Sequence, residues 1–277
     1  MPEMQSSHHE DEAGALLRDG KIRSAIDACS ARLRSKPDDL SARLLLAELL
    51  LLAGGLDRAD AILDPATRME PAVAVAVAEF RQLLRAEIAR QQLDRGGRVP
   101  EFLGEPTPAL RALLGARVAL RAGNHAEAAR YAAEAERQRP RVPGRAGDTE
   151  FDDWRDVDDL CAGAFEILTT TGKYFWVPTE RVTSVEFVAP RRPRDLVWRR
   201  ANVSVLEGPD GTVYLPAVYA SEDPDLADSF RLGRVTEWRE QVGGEDTNLV
   251  RGVGLRTFLA GDEAYDIMGL TTLSFAQ

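Results

Sequence analysis

Apolar residues recur at helical spacing through the first half of this 277-residue chain and at strand spacing through much of the second. Up to about residue 140 they fall three and four positions apart, the period of a helix with one buried face. The pattern predicts helices in pairs: roughly 11–19 with 22–36, 39–53 with 56–70, and 109–122 with 125–139. Leu44, Leu45, Leu46, Leu49, Leu50, Leu51 and Leu52 make one of these apolar nearly all round, as expected of a helix enclosed by neighbours. A longer helix is expected near 72–94, where Val73, Val77, Phe80, Leu84 and Ile88 keep helical spacing. The stretch from Arg95 to Pro108 holds too much Gly and Pro to continue it.

Smaller landmarks repeat in phase through the helical half. Gly20 and Pro37, Gly54 and Pro71, and Gly123 and Pro140 are each seventeen residues apart. The first two pairs are offset by 34 residues and the third by a further 69, about two periods. Ala25, Ala59 and Ala128 each follow their Gly by five, and Ala66 and Ala135 follow theirs by twelve, with Arg32 breaking that series. A 34-residue period of two short helices is the signature of a tetratricopeptide repeat. Each Gly is expected to end a first helix in the left-handed conformation. Each Ala lets the second helix approach closely, and each Pro stops it. The 72–94 helix lacks the mid-repeat Gly, which marks a fused or degenerate repeat. Arrays of this kind stack into curved surfaces that hold other proteins.

Beyond residue 160, short runs of β-branched and aromatic residues alternate with turn signals. They predict strands over Ala164–Thr170, Tyr174–Val177, Val182–Val188, Leu196–Leu206, Thr212–Tyr219 and Thr236–Val242. Gly208-Pro209-Asp210-Gly211 marks a hairpin. Asp223 to Phe230 is read as a helical turn or two, and Gly252 to Phe275 as a short helix or further strands. The expected fold is α+β: an N-terminal all-α, tetratricopeptide-like array, then a mainly antiparallel β domain. The expected boundaries are a mobile terminus at 1–10, helical repeats at 11–140, a linker at 141–149 and the β domain at 150–277.

Charge narrows the partners. A net charge of −10 argues against nucleic acid and anionic lipid. Of 35 basic residues only Lys21, Lys36 and Lys173 are lysine. The longest apolar stretch, Leu44 to Gly55, is interrupted by Glu48 and too short to span a bilayer. No membrane insertion is expected, and the expected location is cytoplasmic. Cys29 and Cys161 are expected as buried, reduced thiols.

Two charged runs are the candidate sites. Asp148 to Asp159 (DTEFDDWRDVDD) holds seven acids in twelve residues. Read as a helix, Asp152, Asp156 and Asp159 share a face, and carboxylates suit Mg²⁺ or Ca²⁺. The run lacks the Gly-punctuated alternation of an EF-hand loop, and no His joins it. A metal-dependent hydrolase centred there is therefore the weaker reading, and no metal, cofactor or catalytic residue is assigned. The favoured reading is an acidic helix start, its acids facing the exposed N–H groups, with Phe151 and Trp154 anchoring it. Its counterpart, Arg191 to Arg200 (RRPRDLVWRR), surrounds Trp198. Arg191, Arg192 and Arg194 are expected to pair with the acidic run, near a junction where the two halves pack as one body; the alternative is that the run is an exposed partner-docking surface. His8 and His9, adjacent in a free terminus, make a poor metal site, and His125 reads as an exposed first-turn residue. No Gly-rich phosphate loop and no Ser-centred nucleophile elbow occur.

Four segments in this order, FDDWRDVDD, GKYFWVPTERVTSVEF, PRRPRDLVWRRANV and VYLPAVY, resemble the ImpE (TagJ) family. The resemblance covers about residues 150–277 in detail and the front half in its helical-repeat character. It implies an accessory component of bacterial type VI secretion, binding the N-terminal helical segment of a TssB-like sheath subunit. It further implies a link to sheath recycling by a ClpV-like unfoldase. It supplies no active site, and the matched positions are Phe151, Asp152, Asp153, Trp154, Asp156, Asp158 and Asp159. A general tetratricopeptide co-chaperone is the remaining alternative.

Overall fold

The computed structural model describes residues 12–221, 223–242 and 248–276. The expected mobile terminus, with His8 and His9, lies outside the described residues. The helices are α1 (12–18), α2 (Ile22–Ser35), α3 (Leu40–Leu52), α4 (Leu56–Leu63), α5 (Ala66–Met69), α6 (Ala74–Gly96), α7 (Pro108–Arg121) and α8 (His125–Gln138). Their turns follow from the repeating landmarks. Gly20, Gly54 and Gly123 adopt φ of 78°, 79° and 75°. Each sits in the same double-bonded helix end: the Gly N–H donates three residues back, and the next N–H donates five residues back. Ala25, Ala59, Ala66, Ala128 and Ala135 are all buried where paired helices touch. The expected 56–70 helix is broken in two, because Pro65 has no N–H to donate into the ladder.

The second half contributes most of the strands. A two-residue strand, β1 (Glu101–Phe102), precedes α7, and β2 (Gly144–Ala146), β3 (Thr149–Phe151) and β4 (Trp154–Asp156) follow α8. Then come β5 (Ala164–Leu168), β6 (Tyr174–Pro178), β7 (Val182–Phe187), β8 (Trp198–Val205) and β9 (Gly211–Pro216). A one-turn helix, α9 (Asp228–Arg231), leads to β10 (Thr236–Val242), β11 (Asn248–Gly254), β12 (Thr257–Ala260), β13 (Glu263–Asp266) and β14 (Thr272–Phe275). Among the described residues, nine strands form one sheet in the order β1-β6-β5-β9-β8-β7-β14-β2-β3, parallel only at β1–β6. β13-β12-β4 form a second sheet and β10–β11 a separate hairpin.

Two expectations need correction. Residues 141–149 are not a free linker: β2 lies within them, between β14 and β3. The acidic run starts no helix. It forms β3, β4 and tight turns, because its Asp side chains take the N–H groups that a first helical turn would expose. Asp156 Oδ1 accepts the N–H of Asp158 at 2.8 Å, and Asp158 Oδ1 that of Leu160 at 2.8 Å. Such local bonds compete with helix formation.

The core crosses from helices to sheet. Leu83, Leu84 and Phe80 of α6 belong to one buried cluster with Leu168, Trp176, Trp198 and Tyr214 of the sheet. A second cluster lies inside the sheet half, around Trp154, Phe165, Phe258 and Phe275.

Candidate functional site

Helix α6 runs along the sheet with Glu87 and Arg90 one turn apart on its buried face. Across from them β5 presents Glu166, the one charged residue of an otherwise apolar, wholly buried strand. Arg90 donates to Glu166 from Nε at 3.1 Å and from Nη2 at 3.3 Å. Arg256, from the bend between β11 and β12, donates to the same carboxylate, as does the Tyr174 hydroxyl of β6. Trp176 Nε1 donates to Tyr174 at 2.5 Å, and Trp198 Nε1 to Glu87 at 3.2 Å. Burial pushes the Glu166 carboxyl up, but Arg90, Arg256 and Arg117 outweigh it and hold the group well below the ordinary range.

The acidic run enters this network from the sheet side. Asp156 accepts the Tyr219 hydroxyl at 2.8 Å and lies 3.5 Å from Arg256. Burial is its largest influence and pushes it up to about 7, despite Arg256. Asp158 accepts from Arg251 Nε and the Gly252 N–H, each at 3.0 Å. Asp159 accepts the Val250 N–H at 2.7 Å. Asp153 accepts from Arg139, at the end of α8, at 2.7 and 2.9 Å. From the helical side, Arg117 of α7 reaches Asp94 at 2.7 Å and Cys161 Sγ at 3.4 Å, and stacks over Trp176. Cys29 and Cys161 are both buried thiols.

The expected site residues therefore divide. Asp153, Asp156, Asp158 and Asp159 are held by groups of their own chain. Phe151 and Trp154 are buried, but in the aromatic core of the sheet half, with Trp154 stacked 4.9 Å from Phe258. Asp152 is exposed and pairs with Arg141 at 3.0 Å. The expected pairing of this run with Arg191, Arg192 and Arg194 does not occur. Instead Arg139, Arg155, Arg251 and Arg256 serve it: Arg139 from the end of α8, Arg155 from within the run, and Arg256 from the bend that the β4–β12 pairing brings beside β4. Arg194 turns to the helices, over Phe80 at 4.8 Å and 3.9 Å from Glu48. Trp198 is buried against Phe80 and Glu87. Arg191 and Arg192 are exposed.

Sequence reasoning did not single out Glu87, Arg90, Arg117, Glu166 and Arg256. A faint signal exists: charges on the apolar face of α6, and one carboxylate in the middle of AFEIL. Among the described residues, no group of three or more His, Cys, Asp and Glu is placed to hold a metal ion. None of the described helices is long and apolar enough to cross a membrane.

Together these features define a helical array clamped onto a mostly antiparallel sheet through a buried ionic junction. The ImpE protein family model matches residues 148–274. The chain is also 33% identical over 227 residues to the type VI secretion system accessory component TagJ of Pseudomonas aeruginosa, covering 82% of this chain and 80% of that protein. Its fold matches the crystal structure of protein VPA1032 from Vibrio parahaemolyticus with a TM-score of 0.87 and 26% identity, over 96% of this chain and 98% of that one. The chain belongs to the ImpE family.

Proposed function

We propose that this chain is a non-enzymatic accessory component of a type VI secretion system, acting in the cytoplasm. In this reading it binds the N-terminal helical segment of a TssB-like sheath subunit and links the sheath to recycling by a ClpV-like unfoldase. The likeness to TagJ over four-fifths of both chains carries the reading. The helical array supports it, since stacked helix pairs offer grooves to an amphipathic helix, read by anchors at i, i+3 and i+4. The acidic run gives a hydrolase little support, because the carboxylates at 153, 156, 158 and 159 are engaged by Arg and backbone N–H groups.

Calorimetric titration of the full chain with the sheath subunit, and then with its N-terminal peptide alone, tests the proposal. Binding of both with similar affinity is expected. No heat from either at tens of micromolar removes it.

A further inference from the structure

We propose that an arginine-lined cavity between α6 and the β8–β9 strands binds side-chain carboxylates of an acidic segment of a protein partner. The cavity has a volume of about 490 Å³. Arg191, Arg192, Arg194 and Arg200 line it, with Glu79 and Asp195 as its acids. Both acids are already occupied. Asp195 Oδ2 accepts the backbone N–H groups of Arg191 at 2.7 Å and Arg192 at 3.0 Å, and Glu79 accepts the Tyr214 hydroxyl at 2.5 Å. Asp195 thus fixes the turn that carries the arginines.

Arg191, Arg192 and Arg200 are exposed and form no ion pair among the described residues. Arg194 is 7% exposed, and its Nε has no hydrogen-bond partner. Phe80 beneath it and Glu48 at 3.9 Å hold it in place. Three exposed guanidinium groups without an ion pair, gathered around one cavity, match the bidentate geometry of carboxylates.

The source of those carboxylates follows from the rest of the molecule. A net charge of −10 repels extended polyanions such as nucleic acid and anionic membranes. A protein segment instead brings a few charges to one spot. Ala76, Val188 and Ala189 on the cavity wall suit the aliphatic stems of Glu side chains. The inference rests on the proposed adaptor role only in supplying a protein partner.

The test is calorimetric titration of the full chain with hexaglutamate, hexaglutamine and tripolyphosphate. Hexaglutamate is expected to bind, more weakly as salt rises, and hexaglutamine not to bind. The R191A/R192A/R200A variant, altered only at exposed positions, is expected to lose about tenfold or more in affinity. A charge-matched R34A/R58A/R111A control is expected to lose far less. No hexaglutamate binding, equal losses in the two variants, or tighter binding of tripolyphosphate overturns the proposal. The sheath-subunit peptide, titrated in parallel, separates the two readings. If it fails on the wild type while hexaglutamate behaves as expected, the adaptor role falls and the cavity assignment stands. If it binds normally and hexaglutamate does not bind, only the cavity assignment falls.

Discussion

Glu48 and Glu166 are both buried carboxylates, yet they titrate in opposite directions. Burial outweighs Arg194 at Glu48 and pushes its carboxyl up to about 7, because the guanidinium stands 3.9 Å away. At Glu166 three guanidinium groups outweigh burial. The consequence for stability differs in sign. Glu48 stays protonated in the fold up to about pH 7, whereas the unfolded chain ionises it in the ordinary carboxylate range. Between those limits the fold holds more protons, so stability falls as pH rises. Asp156 acts in the same direction. Glu166 does the reverse, and its contribution is lost only as pH falls below the ordinary range through its folded pKa. Glu48→Gln removes one titrating group. Denaturant unfolding at pH 5 and pH 8 is expected to show a smaller stability difference in this variant than in the wild type, by on the order of 2 kcal/mol. An unchanged difference would mean that Arg194 keeps Glu48 ionised throughout.

Among elements, glycine positions separate backbone demands from packing demands. Gly123 takes φ of 75°, and a Cβ added there meets open space, so Gly123→Ala is expected to cost about 1 kcal/mol from conformation alone. At Gly144 in β2, an added Cβ would run into the Ser274 carbonyl oxygen and come 2.8 Å from the Phe151 ring. Gly144→Ala is therefore expected to cost more, toward the upper end of the roughly 1–3 kcal/mol range of overpacked sites. Paired thermal melts of the two variants give the ranking. The same contrast explains what could be read from sequence. The helices were legible because Gly, Ala and Pro act within one or two turns of where they stand. The strands β5 to β9 were legible from β-branched runs between turns. β2 to β4 were not: β2 and β3 pair with each other but are only three residues long each, β4 pairs with β12 far along the chain, and the Asp residues of the run serve local N–H groups. The ionic junction was hidden for a similar reason: Glu166 meets Arg90 and Arg256 across 76 and 90 residues.

For the whole molecule, that junction determines whether the halves unfold separately. All four Trp residues lie beyond residue 150, so their fluorescence reports the sheet half, while far-ultraviolet circular dichroism is dominated by the helices. In the wild type the two signals are expected to change at one denaturant concentration, because the core is continuous across the junction. Glu166→Gln leaves Arg90 and Arg256 facing an uncharged amide in a dry site. It is expected to cost on the order of 3–5 kcal/mol. Coincident transitions that do not shift in this variant would show that apolar packing alone joins the halves. The sheet's connectivity has a further consequence, for synthesis. β14, the last of its strands to be made, sits between β7 and β2 rather than at a rim. Until it arrives, β7 presents an open row of backbone donors and acceptors on a nascent chain whose helices can already pack. A polypeptide stopped short of Thr272 would keep that row open, ready to pair with a neighbour's strand.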